Sequence, residues 1–186
     1  MTDKEIFEAF LDRCIDARIL WNTHQELFEE RPTIEILTTI APTFFSDLQG
    51  WLIRLLFIEV CALTDAKKQG SNSNLSIERI AEKAMRSSAE RDKVVLLASS
   101  LNEHGERLRK ARNTIIVHSD LATAMNNTKY GRTTESDWAD FWDDLQSFCD
   151  FCAPYWNSKP LDFSVSAGPG DVTDFIRFLR KNSGKI

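Results

Sequence analysis

Residues 88–118 read SAERDKVVLLASSLNEHGERLRKARNTIIVH, and this stretch decides the fold. Val94, Leu101, Leu108 and Ile115 recur at sevens within it, interleaved with Leu97, His104, Ala111 and His118. Two such lines share one helical face, so the stretch predicts a long helix opened by Ser88 and packed along a seam. The second line turns from apolar to polar along its length. Its C-terminal end is therefore expected to meet water, chemistry or a hydrogen-bonding neighbour.

Upstream, Pro42 stands at a first-turn position, and Phe44, Phe45, Leu48, Trp51, Leu52, Leu55, Leu56, Ile58, Val60 and Leu63 cover almost every face of a helix reaching about Ala66. A helix apolar all round must be covered all round, and one small domain covers only part of it. The remainder predicts a partner subunit and a two-fold homodimer. Before it, Thr2 and Glu5 form a capping box for an amphipathic helix from about residue 3 to Glu30, with Phe7, Phe10, Leu11, Cys14, Ala17 and Trp21 at steps of three or four. Pro32 should stop that helix, and a short helical piece, Ile34 to Ile40, should follow. Lys67 to Asn74 reads as a loop, and Ser76 as the cap of a short helix ending before Ser87.

Downstream, Asn126 to Thr134 is a polar loop. A helix follows from about Glu135, with Trp138, Phe141, Trp142, Leu145, Phe148, Cys149 and Cys152 on one side, and Pro154 limits it. Gly168, Pro169 and Gly170 turn the chain into a small terminal helix. No run shows two-residue alternation and no repeat stands out. The architecture predicted is all-α, a four-helix bundle over residues 1–157 with short accessory helices and a C-terminal extension, 158–186, carrying one short helix.

A chain of 186 residues with 42% hydrophobic and 27% charged residues suits one sizeable core. The longest apolar run, Trp51 to Leu63, is broken by Arg54 and Glu59, so neither a membrane span nor a secretion signal is expected. Four cysteines do not make a disulfide scaffold at this length, and a reduced cytoplasmic compartment fits them. The balance of 23 basic against 28 acidic residues, net −5, excludes a protein that coats DNA through a broad positive surface. A small basic pocket that handles RNA stays compatible with it.

Arg107, Arg109, Lys110 and Arg112 make such a positive spot. For Arg107, Arg109 and Lys110 a solvated face near a helix end is the plainer reading, with Arg109 kept as a substrate contact. Arg112, Asn113 and His118 differ because their chemistry is complementary. Histidine moves a proton near neutrality, arginine binds phosphate oxygens in a fork, and asparagine orients an imidazole. These are the parts for cleaving RNA without a metal: the ribose 2′-hydroxyl attacks the phosphate, His118 acts as general base or acid, and Arg112 neutralises the growing charge. DNA lacks that hydroxyl and should resist. On a continuous helix Arg112 and His118 stand roughly 120° apart, so one copy makes a poor site unless the helix ends at His118 or two copies meet across a two-fold axis.

The segment RNTIIVH, Arg112 to His118, resembles the signature of the HEPN superfamily, helical dimers of prokaryotic toxin and antiviral systems. ALTDAKKQGSNSNLSIERI (Ala62 to Ile80) and APTFFSDLQGWL (Ala41 to Leu52) are similar to its abortive-infection AbiU-like branch, a likeness over most of residues 1 to 155, and the terminal GPGDVTDFIRFLRK is similar to that branch as well. The resemblance implies a HEPN-like bundle and a homodimer whose Arg112 and His118, with Asn113 between them, line a cleft between protomers. It implies a metal-independent endoribonuclease without cofactors, acting on RNA in phage defence or as a toxin, with an antitoxin protein as a further partner. Members of the superfamily often carry a charged or polar residue on the second helix near that arginine, and Glu59 is the candidate, because a carboxylate in so apolar a stretch needs a partner.

His104, Lys129, Tyr130 and Arg132 are further candidates for touching substrate, weighed against a packing histidine and an ordinary loop. Cys149 and Cys152 have no second pair at zinc-site spacing and read as small core residues. Asp140, Asp143 and Asp144 read as a solvated helix face. The rival function is a catalytically silent helical dimer that binds RNA, a nucleotide or a regulatory protein. A metal-dependent hydrolase ranks below both, since histidines and carboxylates do not cluster at ligand spacing.

Overall fold

A computed structural model describes residues 2–87, 90–112, 134–163 and 168–182. Its elements are α1 (Asp3–Phe28), α2 (Arg31–Ile40), α3 (Pro42–Leu63), β1 (Lys68–Gln69), β2 (Asn72–Ser73), α4 (Ile77–Ser87), α5 (Arg91–Ala111), α6 (Glu135–Cys152), a 3-10 turn (Ala153–Trp156) and α7 (Val172–Asn182). The fold is all-α apart from the two-residue strands, which pair antiparallel with Lys68 opposite Ser73 and Gln69 opposite Asn72. That hairpin lies where a loop was expected. It turns at Gly70, whose φ of +61° suits glycine. Strands of two residues are too short to carry an alternating pattern.

The helix boundaries follow local chemistry. At the start of α1, the Glu5 backbone N–H donates to Thr2 Oγ1 at 3.3 Å and the Thr2 N–H to Glu5 Oε2 at 2.6 Å, the reciprocal pair a capping box requires. The helix ends sooner than Glu30, because Glu30 takes extended backbone as the cap of α2. Pro32 then lies in the first turn of α2, where its missing N–H costs nothing, so α2 begins ahead of Ile34. Ser76 precedes α4 as expected, but its buried hydroxyl makes no hydrogen bond among the described residues. At the start of α6, Thr134 and Asp137 form a second capping box. The hydrogen bonds from the Thr134 backbone and hydroxyl, with Arg107 at 2.5 Å, hold the Asp137 carboxyl down to about 2.

The chain forms two compact units, one of Met1–Cys14 with Phe57–Phe163 and one of Ile15–Leu56 with Ser164–Ile186. In the first, Phe7 of α1 stacks near Trp156 and Phe10 meets Phe148 of α6 edge-on. Trp156 also donates its indole N–H to the Ile80 carbonyl of α4 at 3.1 Å. Val94, Leu101 and Leu108 of α5 are buried, as the heptad line predicts, and so is the whole expected apolar side of α6. All four cysteines are free and buried, and burial pushes the Cys152 thiol up to about 12. In the second unit Leu27, Leu37, Phe45, Leu52, Ile176 and Leu179 form one core cluster. Arg180 of α7 ties to it, bonding Glu30 at 2.6 Å and Thr33 at 2.9 Å. Among the described residues no helix is long and apolar enough to cross a membrane.

Candidate functional site

Where α3 ends, its last carbonyls need partners and Thr64 supplies the first. Its hydroxyl donates back to the Val60 carbonyl at 3.0 Å or the Cys61 carbonyl at 3.1 Å, leaving the Thr64 carbonyl itself free. Helix α5 answers that carbonyl. It approaches Thr64 at Gly105, so closely that a Cβ there would lie 2.0 Å from Thr64 Oγ1 and 2.5 Å from Thr64 Cβ. One turn further along α5, Arg109 donates from Nη2 to the Thr64 carbonyl at 3.0 Å and stands 3.4 Å from Asp65 Oδ1. Arg112, the residue that closes α5, holds the other oxygen of the same carboxylate, Nη1 to Oδ2 at 3.4 Å.

Asp65 therefore sits between two guanidiniums, and these groups border a polar cleft of about 460 Å³ with Gln69, Glu78, Asn102 and Glu106. The Arg109 side chain is 22% exposed and that of Arg112 18%, so each is shielded from water yet reachable. Guanidinium pairs so placed recognise planar or tetrahedral oxyanions, and here one carboxylate occupies them. Glu106 adds a further pair to Arg109. Cys61 lies close enough to feel the field: burial pushes its thiol up to about 11, against the opposing pull of Arg112 and Arg109.

Among the predicted site residues the structure brings Arg109 and Arg112 together on one cleft. Asn113, His118, Lys129, Tyr130 and Arg132 lie outside the described residues. The solvated-face reading fails for Arg109, whose head group is bound to the end of α3, and Arg107 is spoken for by Asp137. Glu59 does have the partner its apolar setting demands, but that ion pair is with Arg13 of α1 at 2.7 Å. Among the described residues the carboxylate ion-paired to Arg112 is Asp65, just beyond the helix rather than within it.

His104 belongs to the packing, not to the cleft. It is 2% exposed, its ring centroid lies 4.6 Å from that of Phe141 and 4.8 Å from that of Trp138, and Nε2 has no hydrogen-bond partner among the described residues. Burial, with the Arg107 charge adding to it, lowers its pKa to about 4. The polar line of α5 thus stays sealed at this position. Sequence reasoning missed Thr64, Asp65 and Gly105. The one local signal for them is a Thr-Asp pair at the point where the apolar run of α3 stops.

The family model HEPN_AbiU2, described as AbiU2, matches residues 4–175, nearly the whole chain and with it every side chain of this cleft. The chain belongs to the AbiU2 family of HEPN proteins. Membership makes it a HEPN-type protein of the abortive-infection class, and it agrees with the all-α architecture. Neither the comparison with curated proteins nor the one with solved structures gives a match. Among the described residues no group of three or more histidine, cysteine, aspartate or glutamate side chains is placed to hold a metal ion.

Proposed function

We propose that this AbiU2-family chain is a metal-independent endoribonuclease that cuts RNA in abortive infection or as the toxin of a toxin–antitoxin pair. The observation that carries the reading is Arg112, a guanidinium anchored on a polar cleft beside Arg109 and immediately followed by the Asn113-to-His118 segment. In the proposed reaction a bridging phosphate takes the place of the Asp65 carboxylate against Arg112 and Arg109. The 2′-hydroxyl oxygen attacks phosphorus as its proton passes to the neutral imidazole of one His118. The bond to the 5′-oxygen breaks, and that oxygen receives a proton from an imidazolium, leaving a 2′,3′-cyclic phosphate and a 5′-hydroxyl. A second copy of the chain supplies the second His118, and asparagine at 113 orients the ring beside it. An antitoxin protein is the further partner this reading calls for, with the cytoplasm as the setting.

The test is single-stranded RNA incubated with purified protein in EDTA, the products being mapped at their ends. Cyclic-phosphate ends that fall by a factor of about 100 or more in Arg112→Ala and in His118→Ala, with circular dichroism unchanged, are the expected result. RNA bound by the wild type but left intact points instead to the silent binding dimer, which the neutralising Asp65 contact favours. Cleavage that needs added metal overturns both.

A further inference from the structure

The second unit holds an open groove of about 920 Å³. Helix α1 gives it Ile19, Asn22, Thr23 and Glu26, at steps of three, one and three. Those steps follow one helical face for two turns, roughly 10 Å of axis. Aromatic rings come from the other elements, Phe44 and Phe45 from the first turn of α3 and Phe175 from α7. Their centroids lie 5.1 Å apart for Phe44 and Phe45 and 6.4 Å apart for Phe45 and Phe175. Phe45 belongs to the core, but Phe44 is 53% exposed, Ile19 43% and Phe175 41%. Large apolar side chains left this open around one groove mark a surface that is covered in use.

The lining states the chemistry of what covers it. A face laid out at the helical repeat, beside a groove two turns long, takes an amphipathic helix whose apolar side chains recur at three and four. The charges choose among such helices. The groove's ionisable lining residues are Glu26 and Asp171, both acidic. Glu26 is exposed and makes no ion pair among the described residues. Asp171 caps α7, its Oδ1 accepting the Asp174 backbone N–H at 3.1 Å, and among the described residues it too faces no cation. A helix with acidic flanks would meet like charge here, whereas one carrying lysine or arginine beside its apolar face meets opposite charge.

We propose that this groove docks a basic amphipathic helix of a partner protein, its apolar side chains against Ile19, Phe44 and Phe175 and its cations facing Glu26 and Asp171. The inference goes beyond the function proposed above. It needs neither RNA nor Arg112, whose cleft belongs to the other compact unit.

Fluorescence anisotropy at physiological salt tests it with three labelled synthetic peptides. The first is a short helix with leucines at steps of three and four flanked by lysines, the second replaces the lysines by glutamates, and the third scrambles the first so that its apolar face is lost. The lysine helix should bind the full-length protein about tenfold or more tightly than either control. Phe44→Ser and Phe175→Ser, at exposed positions, should each weaken it about tenfold with circular dichroism unchanged. Glu26→Lys, also exposed, should abolish the preference for lysine over glutamate. Failure of the lysine helix to bind, equal binding of either control, or binding indifferent to Phe175→Ser and Glu26→Lys overturns the proposal. So does a wild-type dimer in sedimentation that these two variants dissociate, since a second copy would then be the occupant. Because no readout involves RNA, the outcome is separate from that of the ribonuclease assay.

Discussion

His104 shows what a single side chain contributes when packing overrides its chemistry. An imidazole between Trp138 and Phe141, with its Nε2 unpartnered among the described residues, is tolerated only in its neutral form. Its folded pKa of about 4 lies below the ordinary 6.5, so the unfolded chain binds the proton more readily. Stability is then fully present above about 6.5 and is lost as the pH falls towards 4. Between pH 7.5 and 5 this group alone should withdraw about 2 kcal/mol of folding free energy. Urea unfolding of the wild type and of His104→Phe at both values checks it. The variant keeps an aromatic ring in the slot and should lose less stability than the wild type over that interval. Equal losses in the two proteins would show that the buried ring does not govern the acid response.

Between elements, the decisive contact is the crossing of α5 over the end of α3. Gly105 allows it, since any Cβ would collide with Thr64, whose own side chain is buried and bonded back to α3. Alanine is ordinarily the better helix former by about 1 kcal/mol, so helix propensity alone predicts that Gly105→Ala stabilises the protein. The collision predicts the reverse. Overpacking of this kind costs about 1–3 kcal/mol, enough to lower the melting temperature by several degrees, and it pushes Arg109 off the Thr64 carbonyl. Adding Thr64→Gly removes the obstacle and should recover most of the loss, which thermal denaturation of the single and double variants measures.

The same crossing marks the limit of what the sequence makes legible. The capping box of Thr2 and Glu5, the helix break ahead of Pro32 and the apolar side of α6 are written within a few residues of each other and can be read without knowing the fold, although Pro32 itself opens α2 instead of standing outside it. The guanidinium of Arg112 can be singled out by its chemistry. Its acidic partner cannot, because Asp65 reaches it only after α3 and α5 have packed, and Glu59 offers an equally plausible carboxylate until Arg13 is seen to hold it. Gly105 likewise looks like a weak point in a helix until Thr64 is placed against it.

Over the whole molecule, charge decides how RNA would be held. The net charge is −5, and each cation of the basic spot with a described side chain already faces a carboxylate: Arg107 faces Asp137, Arg109 faces Asp65 and Glu106, and Arg112 faces Asp65. Among the described residues the basic spot offers no unpaired guanidinium to gather polyanion, so on the proposed reading the cleft binds by exchanging Asp65 for phosphate at a few points. For single strands the slope of log K against log salt is about −0.7 per neutralised phosphate, so Arg109 and Arg112 alone predict about −1.4 per copy, and two copies sharing a strand about −2.8. Fluorescence anisotropy of a labelled RNA across a potassium chloride series, with His118→Ala to prevent cutting, measures it. A slope of about −5 or steeper would require more phosphate contacts than this cleft supplies and would place the RNA on another surface. A slope near the predicted value that flattens in Arg112→Ala would leave the paired guanidiniums as the point of capture.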